Sequence, residues 1–242
     1  MTLQPRRRFL AQAAVASLGL FGMADTVRAD APEEALSTCR PVDPLRALLE
    51  GNARFAAAWI QADRASAPAS RSRALSRLWR HNCITTASTL VGGQAPWAVV
   101  LACADSRVAP EWIFDAAPSD LFVIRSAGNT AFDDAVASLE YAIDHLAVPL
   151  VLVVGHSGCG AVTAALGSAP LTPLLSELVA PIRASLQPGD DLQQAVVHNA
   201  KRSAAELSAK SDLVQRALTE GRLTIRSSVY DIASGKVTLL NV

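Results

Sequence analysis

The 242-residue sequence lacks a surplus of either charge: Lys and Arg total 22, and so do Asp and Glu. General nucleic-acid binders carry a basic excess or a concentrated basic face, so the balance argues against that class. Aromatic residues are scarce at 5%, and cysteines number only four, with no Cys-x-x-Cys pair among them. So few cysteines in a chain this long exclude a disulfide scaffold, and the missing pair removes support for a thiol redox protein. A metal or catalytic site is the better use for these thiols. No apolar run approaches the ~20 residues that a membrane-spanning helix needs. There is no internal repeat, and no low-complexity tract beyond general alanine richness. Apolar material is plentiful: half the residues are hydrophobic against 18% charged, with a mean hydropathy of +0.25. That excludes a disordered chain and suits one sizeable core.

The first residues read as an export signal. Arg6, Arg7, Arg8, Phe9 and Leu10 precede a short apolar run and then small residues, with a cleavage position after Val27-Arg28-Ala29. A basic start, a short apolar stretch and a small-residue site are secretory architecture. The Arg-Arg-x-Phe-Leu order resembles a twin-arginine signal, which is an address and not an anchor. Residues 1–29 are therefore assigned to a signal peptide, and 30–242 to a single domain exported to the periplasm. Removing 1–29 leaves 18 basic and 21 acidic side chains, a net charge of −3.

In the remaining chain, Asp43-Pro44 is an N-cap and first-turn pair. It opens a helical pattern through Leu45, Leu48 and Leu49, which Gly51 and Asn52 interrupt before Arg54, Phe55 and Trp59 resume it. Arg71 to Arg80 reads as an amphipathic helix with Leu75, Leu78 and Trp79 on one side. From Trp97 the grammar changes to short continuous apolar runs, Trp97–Ala102, Leu121–Ile124 and Leu150–Val154. Such runs are typical of strands buried on both faces of a parallel sheet. Helical spacing separates them over Asp133 to His145 and follows over Ser157 to Leu166. Strand, crossover helix, strand makes the class α/β. Ser234-Gly235 marks a hairpin between Leu223–Ile232 and Lys236–Leu240. The Pro-containing stretch 171–191 reads as a surface connection carrying one short helix.

Two motifs follow apolar runs directly: Cys103-Ala104-Asp105-Ser106-Arg107 and Gly155-His156-Ser157-Gly158-Cys159-Gly160. Ligands of open α/β sheets bind beyond the carboxyl ends of the strands. If the two strands are neighbours, Cys103, Asp105, His156 and Cys159 converge on one point. Two thiolates, an imidazole and a carboxylate form a tetrahedral zinc set. Each residue alone would read as a core cysteine, a structural histidine or a local ion pair; their joint placement at two strand ends favours metal. A carboxylate as fourth ligand, with Arg107 competing for it, points to a catalytic site with an exchangeable position. Cys39 and Cys83 lie outside both motifs and read as free thiols, with a disulfide formed after export as the alternative.

On CADSRVAP, DLFVIRSAGN, SLEYAIDHL and GHSGCGA, in this order and spacing, the chain resembles a β-class carbonic anhydrase from Gly51 to Asp231. The resemblance implies zinc, one per chain, on Cys103, His156 and Cys159, with an Asp105–Arg107 dyad beside it. It also implies a substrate pocket of Gln94, Phe122, Tyr141 and Gly160, partly supplied by a second subunit. The implied fold is a central sheet of four parallel strands plus an antiparallel edge strand, flanked by helices. Its N-terminal helices would extend to a partner, giving a homodimer or a dimer of dimers. Gln94 stands nine residues before Cys103, as in the subset with an open zinc, and Val100 replaces the Trp usual where an inhibitory bicarbonate pocket exists. Arg226-Ser227-Ser228 departs from the small Gly-Ala pair common in the family.

The implied reaction is reversible hydration of carbon dioxide to bicarbonate and a proton by a zinc-bound hydroxide. Zinc lowers the pKa of bound water to roughly 7; Arg107 would hold the Asp105 carboxylate, which orients the nucleophile. His145 is a candidate proton shuttle. Two alternatives share the site: hydrolysis of carbon disulfide or carbonyl sulfide, and a non-catalytic zinc-binding assembly protein. No stable membrane insertion and no nucleic-acid partner are expected.

Overall fold

The computed structural model describes residues 39–241, so the proposed signal peptide and its cleavage position lie outside the described residues. Helix α1 (Pro44–Asp63) starts where expected: the Asp43 side chain accepts from the Arg46 amide and proline occupies the first turn. It does not break at Gly51-Asn52; both are buried within one continuous helix. The reason is tertiary. A Cβ at Gly51 would stand 1.9 Å from the Phe114 carbonyl oxygen, so glycine permits a close approach there. Asn52 donates to the carbonyls of Ile113 and Gly235 and accepts from the Val237 amide.

Helix α2 (Pro68–Leu75) is shorter than its sequence pattern. The chain leaves helical geometry at Ser76, and Trp79 takes a φ of 66°. Its amide is instead held by the Asp115 carboxylate. Helix α3 (Ala87–Gly92) leads into the sheet.

The three apolar runs are strands β1 (Ala98–Cys103), β2 (Leu121–Ser126) and β3 (Leu150–His156). With β4 (Thr224–Asp231) and β5 (Lys236–Leu239) they form one sheet of order β2-β1-β3-β4-β5. Four strands are parallel and β5 pairs antiparallel with β4. Helices follow or link the strands: α4 (Pro110–Ile113), α5 (Asp133–Asp144), α6 (Gly160–Leu166), α7 (Pro173–Arg183), α8 (Leu192–Ala209) and α9 (Asp212–Thr219).

Strand β1 is wholly buried because both its faces are covered. Val100 and Ala102 join a core with Leu48 and Phe55 of α1. Val99 and Leu101 join the opposite core with Leu139 and Ala142 of α5. A third cluster, containing Cys103 and Cys159 with Val179, Ile182 and Val196, closes the carboxyl end of the sheet. Residues 171–191 are thus more than a surface connection: Val179 and Ile182 of α7 are fully buried.

Cys39 and Cys83 form a disulfide across 44 residues, with Cα atoms 5.5 Å apart, which corrects the free-thiol expectation. No local spacing encodes this pairing. It arises because the segment before α1 runs along the amino end of the sheet, where Arg40 donates to the carbonyls of Ala95 and Leu146. Among the described residues, no helix is long and apolar enough to cross a membrane.

Candidate metal centre

Strands β1 and β3 are hydrogen-bonded neighbours, so the two motifs meet beyond their carboxyl ends. Chain order departs from spatial order here, since β2 and β3 lie on opposite sides of β1; crevices at such switch points are where open α/β sheets bind ligands. Cys103 and His156 are the last residues of their strands. Gly158, at φ +65°, then turns the chain so that Cys159 becomes the N-cap of α6.

The Cys103 and Cys159 sulfurs are 4.0 Å apart, and the ligand atoms of Cys103, His156 and Cys159 all lie within 4.8 Å of one another. All three residues are buried. His156 Nδ1 contacts the Ser157 carbonyl at 3.1 Å. Donation there leaves Nε2 with a lone pair, and that atom is buried without a hydrogen-bond partner. A dry imidazole nitrogen facing two thiols is costly as a polar void and ordinary as a metal ligand. The donor set fits zinc.

Electrostatics agree. The Cys103 thiol is held well below the ordinary thiol range, first by the hydrogen bond from Cys159, then by His156 and the Gly128 amide. Cys159 is pushed up by giving that hydrogen bond and by burial, against the pull of the Val162 and Ala161 amides. A cation bound here would displace the thiol protons.

Asp105 stands beside this trio, not within it. Arg107 grips both carboxylate oxygens, Nε to Oδ1 at 2.9 Å and an Nη to Oδ2 at 2.7 Å, and its backbone amide adds a third bond to Oδ1. The same guanidinium donates to the Gly158 carbonyl at 3.1 Å, tying the first motif to the second. These contacts keep the Asp105 carboxyl well below the usual carboxylate range. Its Oδ2 lies 3.9 Å from His156 Nε2, too far for a hydrogen bond.

The expected pocket residues divide. Gly160 directly follows Cys159 at the site. Gln94 is exposed and precedes β1, at the opposite end of the strand from Cys103. Phe122 pairs in register with Val99, near the start of β2, about 13 Å along the sheet from Cys103 at ~3.3 Å per residue. Tyr141, half exposed on α5, lies with its ring 6.2 Å from that of Phe122. Within one chain these three do not reach the metal cluster.

Two contributors escaped the sequence reading. Arg125, at the end of β2, donates to the carbonyls of Cys103, Asp105 and Val108, pinning the loop that carries Asp105 and Arg107. Its signal was a charged residue ending an otherwise apolar strand. Gly128 donates its amide to the Cys103 sulfur at 3.3 Å; a glycine just after a strand was the available clue.

A sequence profile described as "Carbonic anhydrase" matches residues 98–237. Carbonic anhydrase 2 of Mycobacterium tuberculosis is 35% identical over 211 residues, covering 82% of this chain and 92% of that protein. Among solved structures, the Coccomyxa β-carbonic anhydrase bound to acetazolamide superposes with a TM-score of 0.58 at 30% identity, over 71% of this chain and 81% of the other. A tetrameric β-carbonic anhydrase of Sordaria macrospora gives 0.58 at 25% identity, over 64% and 85%.

Proposed function

The chain belongs to the carbonic anhydrase family, in its β class, and from that premise we propose that it reversibly hydrates carbon dioxide to bicarbonate on a zinc ion held by Cys103, His156 and Cys159. The observation that carries this reading is the buried, unpartnered His156 Nε2 beside the thiols of Cys103 and Cys159, with all three ligand atoms within 4.8 Å of one another. Bound there, zinc supplies a Lewis acid that makes water nucleophilic near neutral pH.

The chain's own residues supply orientation. Asp105, kept ionised by Arg107, can only accept hydrogen bonds. It therefore turns a hydroxyl proton toward Oδ2 and leaves the oxygen lone pair free to meet the substrate carbon. Arg107 keeps the carboxylate from closing on the metal, because two charge-assisted bonds in a planar fork match it well. Gln94, Phe122 and Tyr141 serve a second copy of the chain, lining an apolar pocket for an uncharged linear substrate. His145, exposed and with its ring 5.0 Å from that of Tyr141, would carry the product proton outward from the site of that second copy. Export to the periplasm by the twin-arginine route completes the reading. It is supported by Arg6, Arg7, Phe9 and Leu10, and by the Cys39–Cys83 disulfide, since such bonds persist in oxidising compartments.

Stopped-flow hydration on metal-analysed protein tests the function, with sulfide release from carbon disulfide and carbonyl sulfide measured in parallel. We expect one zinc per chain and rapid hydration. Full zinc content without hydration would overturn the assignment, and sulfide release without hydration would replace it.

A further inference from the structure

Asn199 lies on α8, a helix that carries none of the proposed ligands, yet its side chain points at the turn behind Cys103. It is buried, 2% exposed, and its Nδ2 donates to the Gly128 carbonyl at 2.7 Å. Gly128 sits at φ +85°, where a Cβ would stand 2.5 Å from Ile182 Cδ1 and 3.2 Å from the Ala161 Cβ. Only glycine fits, and the residue is fixed from two sides: by α7 and α6 packing against its Cα, and by Asn199 holding its carbonyl. So constrained, Gly128 directs its amide at the Cys103 sulfur, 3.3 Å away. The local turn offers little to set that direction by itself, since the Asn129 amide reaches the Ser126 carbonyl only at 3.3 Å.

We infer that Asn199 is a positioning residue for the metal centre: through Gly128 it maintains an N–H···S bond that draws charge from the Cys103 thiolate and so limits how much that ligand donates to the metal. The inference rests on the zinc reading above. Two thiolates neutralise a divalent cation almost fully and blunt its effect on water; an amide donor to one of them restores part of that effect. Groups beyond the ligands commonly tune metal sites in this way.

The measurement is the thiolate-to-metal charge-transfer band of the cobalt(II)-substituted protein, which reports electron density on sulfur independently of turnover. Asn199→Leu removes the donor at similar volume, and Gly128→Ala displaces the amide directly. Both should move the band to longer wavelength relative to wild type, with metal still at one per chain. Should Asn199→Leu fail to fold, Asn199→Ser, too short to reach Gly128, gives the same readout. Leu207→Ala, on the same helix and buried but away from Gly128, controls for general loosening and should leave the band in place. A wild-type band position in the Asn199 variants would overturn the inference, as would an equal shift in Leu207→Ala. Absence of the band from the cobalt-loaded wild type would remove the metal reading itself, and this inference with it.

Discussion

At the residue scale, the decisive competition is for the Asp105 carboxylate. Arg107 takes both oxygens and anchors to the Gly158 carbonyl, so the pair spans both strand-end motifs. Arg107→Ala should release Asp105 toward the metal, giving a zinc-loaded site with hydration reduced ~10²-fold or more, the cost typical of losing one preorganised group. Asp105→Asn should also retain zinc but leave the nucleophile misdirected. Metal analysis, hydration rate and a structure of the Arg107→Ala site check this together. Near wild-type turnover with Asp105 still away from the ligands would reduce the dyad to a structural ion pair.

At the element scale, ordering of the connection between α7 and α8 gives a pH-dependent expectation. Asp190 accepts from the Gln187 amide and faces His198 Nδ1 at 2.8 Å, and these contacts, the amide first, hold its carboxyl below the ordinary range. A depressed folded-state pKa stabilises above the unfolded value of ~3.9 and is lost as pH falls through the lower folded value. Asp190→Asn should therefore be less stable than wild type in urea at pH 7, with the gap narrowing toward pH 3; a constant gap would show that charge is irrelevant there. The same region shows what sequence could and could not convey. Strands buried on both faces announce themselves as unbroken apolar runs, so β1 and β3 were legible, as were the hairpin at Gly235 and both strand-end motifs. Strand β2 was legible by the same sign, although it is an edge strand and only half-buried within the chain. Helices α8 and α9 were not, and α7 was legible only as one short helix on a surface connection. Pro181 inside α7 and the polar residues that α8 turns to solvent obscure the periodicity, and Asn199 is buried only because a turn from another strand needs its donor. Gly51 misled for a related reason: its propensity favours a break, whereas its packing against Phe114 requires the helix to continue.

At the scale of the whole molecule, the two ends of the sheet have different tasks. The carboxyl end carries the proposed metal ligands, and the amino end is fastened by Arg40 and the Cys39–Cys83 disulfide. Closing a loop of 44 residues is worth about 4 kcal/mol in the chain-entropy description. A Cys39→Ser, Cys83→Ser protein should unfold at lower urea while keeping its zinc, and equal unfolding midpoints would make the bond dispensable. Gln94, Phe122 and Tyr141 lie at the fastened end, beyond reach of their own Cys103, and Tyr141 presents its ring to solvent. An isologous dimer would resolve this geometry if its two-fold axis brought the amino end of one sheet to the carboxyl end of the other. Mixed dimers provide the test. A Cys159→Ala subunit lacks a metal site but offers an intact pocket face, whereas a Tyr141→Asp subunit has the reverse defect. Each parent should be nearly inactive alone. Refolded together in equal amounts, half of the dimers are mixed and each carries one complete site, so activity should recover to about a quarter of wild type. If the two subunits remain as inactive together as apart, the pocket is not shared between chains, and Tyr141 has no part in a neighbour's site.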